Sequence, residues 1–229
     1  MARGGRMHFH LPKPLHGWRA FAGEVAIIVL GVLIALGAEQ IVERVSWGVR
    51  VSDARADLSS ELEETLTSAQ ERLIYKDCVT GQLSRVDALI ENPPAQPWTV
   101  DINGPIRLWS TAAWDSAIAS GAVAHMGSRQ RADYAEIYGV VRTLRDVNLE
   151  EFKVKAELSM LDRGGALSEA SHDRLHADVA RLRAYNMLMI EGAAPLRDLI
   201  TRAGVRIDAE HRQELVSEKC LSVGPSLNR

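Results

Sequence analysis

The pattern of apolar and polar positions changes once along this chain. From Ala20 to Ala38 (AFAGEVAIIVLGVLIALGA) the run is apolar apart from Glu24. After it, apolar residues recur in steps of mostly three and four, at Leu58, Leu62, Leu66, Ala69, Leu73, Val79, Leu83, Val86 and Ile90, which is one helical stripe. No Gly or Pro interrupts Val49 to Thr80. The spacing predicts that the first helix runs on to about Glu91, with one kink near Gly48 or Gly81. Asn92-Pro93-Pro94-Ala95-Gln96-Pro97 then stops it.

Asp101-Ile102-Asn103-Gly104-Pro105 is turn chemistry, and Pro105 suits the first turn of a second helix over 105–124. There Trp109 and Trp114 stand among small residues that allow close helix approach. Ser128 is a good N-cap for a third helix, about 129–162, with the stripe Ile137, Val140, Val141, Leu144, Val147, Val154, Leu158 and Leu161. Gly164-Gly165 ends it. Ser168 or Ser171 caps a fourth helix with the stripe Leu175, Val179, Leu182, Met189, Leu196, Ile200 and Ala203. Gly192 and Pro195 are expected to bend it, and Gly204 is a C-cap candidate. The tail, 205–229, is weakly patterned. No segment sustains period-two alternation, and no repeat stands out. The fold class expected is all-α, one N-terminal transmembrane helix followed by an antiparallel helical bundle. The expected divisions are a basic N-terminus over 1–19, an anchor helix over 20–42 and a bundle domain over 43–229.

The strictly uncharged stretch, Val25–Ala38, fits a signal-peptide core or a buried helix by length alone. Counting from Ala20 gives 19 residues, about 28 Å of helix, close to the ~30 Å hydrocarbon core. Glu24 then lies within one turn of the membrane edge, where a carboxylate costs least. Trp18 and Trp47 flank the run 29 residues apart, ~43 Å as helix, which matches the spacing of the two headgroup layers that tryptophan favours. Ala35-Leu36-Gly37 is a passable cleavage site, but the long leader and the acid at the start of the core favour a retained anchor. Arg3, Arg6, Lys13 and Arg19 precede the run with no acid before Glu24, which places the N-terminus in the cytoplasm by the positive-inside rule. Arg44, Arg50 and Arg55 follow closely and narrow that margin.

From Val25 onward there are 23 basic and 29 acidic residues, a net charge of −6. That balance offers no electrostatic footprint for nucleic acid. The two cysteines, Cys78 and Cys220, are expected to form a disulfide if the domain is exported. It closes a loop of ~140 residues, worth roughly 4–5 kcal/mol in the chain-entropy model. Their spacing lacks any CxxC, so neither a redox nor a zinc role is expected of them.

The segment Gly23-Glu24-Val25-Ala26-Ile27-Ile28-Val29-Leu30-Gly31-Val32-Leu33-Ile34-Ala35-Leu36 resembles the start of a broad set of uncharacterised bacterial proteins. These have a short basic N-terminus, a Gly-Glu pair, one apolar helix and a helical extracytoplasmic region. The likeness covers about residues 11–45. It implies a single-pass inner-membrane protein with its C-terminal domain in the periplasm, and it transfers no catalytic residue.

Among candidate chemistry, His172-Asp173-Arg174-Leu175-His176 puts two imidazoles four apart on one helix face, a spacing able to hold a metal. It nearly echoes the zinc-protease H-E-x-x-H pattern, with Asp173 in place of the glutamate base. Glu169-x-x-His172 mimics half of a di-iron helix motif without a second copy. No third ligand follows at a recognised spacing, so the plain expectation is a solvated polar face and no bound metal or other cofactor. Glu24 can relay protons where a partner supplies a cavity, or cap its helix, or pair with Arg19. Gly31-x-x-x-Ala35 is a small-xxx-small step able to seat a second helix. Trp98, Trp109 and Trp114 are expected in the core rather than in a ligand pocket, as are Tyr185, Met187 and Met189. His8, His10 and His16 cluster near the cytoplasmic surface without a clear role.

Serine nucleophiles, P-loops and dinucleotide fingerprints are absent from the sequence. The expected function is non-catalytic: a scaffold or accessory subunit binding a partner protein or small ligand in the periplasm, with the lipid bilayer and a protein partner or second copy as its contacts. The alternatives are a metal-dependent enzyme using His172 and His176, and an accessory to an ion-driven membrane complex through Glu24.

Overall fold

The computed structural model describes residues 17–93, 98–99, 102, 107–158, 167–207 and 224–225. Among them are five α-helices: α1 (Trp18–Ile74), α2 (Lys76–Glu91), α3 (Ala112–Ala119), α4 (Ser128–Glu157) and α5 (Glu169–Arg202). A 3-10 turn covers Ala122–His125. The protein is all-helical with one long apolar N-terminal helix. The paired extended segments among the described residues are two residues each, Trp98–Thr99 (β1) and Gly224–Pro225 (β2), running antiparallel. The chain divides into two units between Val49 and Arg50.

In the first unit the apolar run of α1 finds no cover. Trp18, Phe21, Ile28, Leu30, Leu33 and Ile34 are each more than half exposed. This helix is long and apolar enough to cross a membrane, and none of its apolar window is buried.

In the second unit the helical stripes meet as the periodicity demands. Leu58, Leu62, Leu66 and Ala69 of α1 pack with Ile137, Val141 and Leu144 of α4 and Met189, Ala193, Leu196 and Ile200 of α5. A second cluster joins Tyr75 and the α2 residues Val79, Leu83, Val86 and Ile90 to Val154, Leu158, Leu175, Val179 and Leu182. Between the two clusters, the intervening turn of each long helix buries polar groups: Glu71 and Arg72 on α1, Asn148 and Glu151 on α4, Asn186 on α5. Buried charge is tolerated only when paired. Arg72 accordingly donates from Nη2 to Glu151 Oε1 at 2.8 Å, Lys155 approaches the same oxygen at 3.1 Å, and Arg107 forks onto Glu71.

Cross-helix pairs give the helix directions. Arg55 meets Gln130, Glu61 meets Tyr138 and Arg72 meets Glu151, so positions on α1 and α4 rise together. On α2 and α5 they run oppositely, Thr80 with Asn186, Asp87 with His176. The same opposition joins α4 to α5, Glu157 with Arg174 and Leu144 with Gly192.

Several element boundaries differ from expectation. Neither Gly48 nor Gly81 interrupts a helix. The break falls at Tyr75, a buried residue that inserts into the second cluster. Glycine permits a kink but does not compel one, and nothing lies within 4 Å of a Cβ at either site. The helix expected over 105–124 starts only at Ala112. Glu61 of α1 captures its first turn, accepting from the Ser110 hydroxyl and from Ala113 N at 3.1 Å. A carboxylate at that end also complements the helix dipole. Gly127 rather than Ser128 is the N-cap of α4. Ser168 caps α5, accepting from Ser171 N at 3.2 Å. That helix runs through Gly192 and Pro195 to Arg202. Gly204, at φ +95°, follows the C-cap Ala203, and Val205 N bonds back to Ile200 O in a Schellman closure. As the cap, Ala203 is exposed rather than part of the apolar stripe. Leu161, Gly164-Gly165 and most of the tail lie outside the described residues.

Candidate functional site

Ser168 fixes where α5 begins, so His172 and His176 fall in its first two turns on one face. Pro93 and Pro94 fix where α2 ends, so Asp87 and Glu91 occupy its last turns, also four apart. Because α2 and α5 run in opposite directions, these two ends coincide. The imidazoles stand edge to face, 4.5 Å between centroids. His176 donates from Nδ1 to Asp87 Oδ1 at 2.7 Å. Its other nitrogen, Nε2, is buried and makes no hydrogen bond, with Glu91 Oε1 3.1 Å away. His172 Nε2 lies 3.8 Å from Glu91 Oε2. One donor atom from each of Glu91, His172 and His176 falls within 4.8 Å of the other two.

Asp87 is held from both sides, by His176 and by Arg183 Nη2 at 2.8 Å. Burial pushes its carboxyl up. The bonds from Arg183 and His176 outweigh this and leave it below its ordinary value. The carboxylate therefore stays ionised and fixes the His176 ring with Nε2 facing the cluster. Glu91 is the residue that sequence reasoning missed. It is the last residue of α2, and only the fold brings it to α5. The detectable signal was the Asp87-x-x-x-Glu91 pair, which matches the step of His172-x-x-x-His176. Asp173 Oδ1 is 3.9 Å from His172 Nδ1, and Glu169 is exposed.

The remaining candidates are dispersed. Glu24, Gly31 and Ala35 are exposed on α1, with nothing within 4 Å of a Cβ at Gly31. Trp18 is exposed and Trp47 half-buried. Trp109 and Trp114 are in the first core cluster, and Trp114 stacks on Tyr138 at 5.4 Å between centroids and 6° between planes. Met189 is core and Tyr185 packs on the second cluster, but Met187 is 54% exposed, contrary to expectation, because it points off the α5 stripe. The side chain of Trp98, along with His8, His10 and His16, lies outside the described residues. Cys78 is disulfide-bonded. The chain's other cysteine, Cys220, also lies outside them.

No family model matches this chain, and comparison with curated proteins and with solved structures finds no match.

Proposed function

We propose that this chain is a single-pass protein of the bacterial inner membrane, with a cytoplasmic N-terminus and a periplasmic helical domain that acts as a non-catalytic scaffold or accessory subunit. The observation that carries the reading is the uncovered apolar run of α1. About 18 consecutive side chains without protein cover are stable only in lipid or against other apolar helices. The basic leader supports the orientation. The bonded state of Cys78 supports an oxidising compartment. The opening segment's likeness to bacterial single-pass proteins is consistent with both.

The exported part is read as a bundle in which α1–α2 and α4 run one way and α5 returns between them. The pairings of Asp87 with His176 and of Glu157 with Arg174 support the two antiparallel contacts. The pairings of Arg55 with Gln130 and of Arg72 with Glu151 support the shared direction of α1 and α4. Such a domain binds through its surface, to a partner protein or a small ligand, and the lipid-facing run holds it at the membrane.

Two measurements test the reading. Alkaline carbonate washing should leave the intact chain in the membrane pellet, and alkaline phosphatase fused after Arg229 should be active. Release of the chain by carbonate, or a fusion active only as a cytoplasmic reporter, overturns it.

A further inference from the structure

We propose that Glu91, His172 and His176 form a binding site for a divalent first-row transition metal, zinc being the probe, that clasps the end of α2 to the start of α5. Nothing in the membrane reading requires this site, and it stands on its own geometry.

The first argument is the donor set. Two imidazoles and one carboxylate suit zinc and its neighbours, whereas magnesium and calcium take oxygen donors. The second is distance. The three donor atoms lie within 4.8 Å of one another. Tetrahedral ligands at zinc stand about 3.4 Å apart for bonds near 2.05 Å. Ring and carboxylate rotation is enough to close that difference, since Glu91 is 59% exposed and so free to turn.

The third argument is the state of His176. A metal-bound histidine characteristically donates its other ring N–H to a carboxylate, which fixes the tautomer and aims the free lone pair at the ion. Asp87 does this to Nδ1, and Arg183 in turn pins Asp87. Nε2 lies 3.1 Å from Glu91 Oε1 and has no hydrogen-bond partner. A cation shared by these two atoms, a proton on the imidazole or a metal ion, holds them together at that distance. A divalent ion satisfies both and brings in His172, whose Nε2 faces the other Glu91 oxygen.

Three protein donors leave a fourth position for water or for a donor from a binding partner. The exposed side of Glu91 opens that position to solvent. The ion adds a link between two helix ends that already meet through the second cluster and through the bonds of Asp87 to His176 and Arg183. Metal occupancy therefore tightens this end of the domain further.

The test uses the full-length chain in detergent, stripped with a chelator, incubated with zinc chloride and desalted before elemental analysis. One zinc per chain is expected, with magnesium chloride leaving none. Cobalt(II) in place of zinc should give the visible bands of a tetrahedral site with nitrogen and oxygen ligands. His176→Ala and His172→Ala should each lower the affinity for zinc at least tenfold in calorimetric titration. His172 makes no close bond to the fold, so its variant keeps the test valid if the His176 variant does not fold. Glu91→Gln should weaken zinc binding while leaving the far-ultraviolet dichroism unchanged. Less than stoichiometric zinc on the wild-type chain, or zinc binding unchanged in His172→Ala, overturns the proposal.

Discussion

Arg72 and Glu151 meet inside the domain, Nη2 to Oε1 at 2.8 Å, with side chains only 2% and 3% exposed. The pair sits where the apolar stripes of α1 and α4 both lapse. Its two ends are not equally supported. Glu151 also has Lys155 at 3.1 Å, whereas Arg72 Nε and Nη1 are buried without a partner. Removing the carboxylate charge therefore strands a buried guanidinium, and removing the guanidinium leaves a carboxylate that is still paired.

The expected order of damage follows. Glu151→Gln should cost about 3–5 kcal/mol, the usual effect of breaking a buried ion pair from one side. Arg72→Met should cost less, and the double variant Arg72→Met/Glu151→Leu should recover most of the loss. Denaturant unfolding of the full chain in detergent, followed by dichroism, measures all three. Equal losses for the two single variants would contradict the asymmetry.

Glu61 gives a second, independent point. Its carboxylate accepts from Tyr138 Oη at 2.8 Å, from the Ser110 hydroxyl and from Ala113 N. Burial, and after it the hydrogen bond to Glu61 and the Glu61 charge, push the Tyr138 phenol far above its ordinary range, so the phenol stays protonated. Tyr138→Phe should cost about 1–2 kcal/mol and Glu61→Gln about 1–3 kcal/mol. The two changes should be non-additive by at least about 0.5 kcal/mol in a double-mutant cycle, since they share one bond. Strict additivity would show that the bond is not made in solution.

Much of the fold is legible in the sequence because helices are written in period and punctuation. Pro93-Pro94 ends α2, Ser168 opens α5, Gly204 closes it, and the stripes name most of the core. The polar layer was also written there, as omissions. The apolar series skips a turn from Leu73 to Val79, from Val147 to Val154 and from Leu182 to Met189. Arg72, Glu151 and Asn186 lie in or beside those gaps, and a charged residue in a stripe reads as surface until a partner on another helix is known. For the same reason the four-residue step from Asp87 to Glu91 did not by itself mark Glu91 as a companion of the histidines. Its relation to them depends on which helix ends coincide, and that is set by tertiary packing rather than by spacing. The break at Tyr75 has no punctuation at all. It falls at a residue whose ring is buried in the second cluster.

The contact between α3 and α4 carries a pH dependence. Asp115 accepts from Thr111 Oγ1 at 2.8 Å and from Arg142 Nη2 at 2.6 Å. The Thr111 bond, the largest effect, together with the Arg142 guanidinium holds its carboxyl below the ordinary value against burial, which raises it. A carboxyl whose folded value is depressed adds stability above its unfolded value, near pH 4, and loses it as pH falls through the folded value. Because the group is half exposed, solvent screening keeps the contribution under about 1 kcal/mol. Asp115→Asn should therefore be slightly less stable than the wild type at pH 7, with the difference narrowing at pH 3, by parallel denaturation at the two pH values. A difference as large at pH 3 as at pH 7 would assign the effect to packing instead of charge.

Two glycines in the long helices should respond to alanine with opposite signs. A Cβ at Gly139 of α4 meets nothing within 4 Å, so Gly139→Ala gains only the helix propensity, about 0.5–1 kcal/mol. A Cβ at Gly192 of α5 would stand 2.5 Å from Leu144 Cδ2 and 3.3 Å from its Cγ. Leu144 is 2% exposed in the first core cluster, where interiors are close-packed. Overpacking of that kind costs about 1–3 kcal/mol, more than the propensity gain returns. Gly192→Ala should thus lower the unfolding midpoint while Gly139→Ala raises it, and Gly192→Ala combined with Leu144→Val should regain part of the loss by vacating the space the new methyl needs. This set of variants tests the α4–α5 approach directly. A stabilised Gly192→Ala protein would mean that the two helices do not lie this close at Leu144.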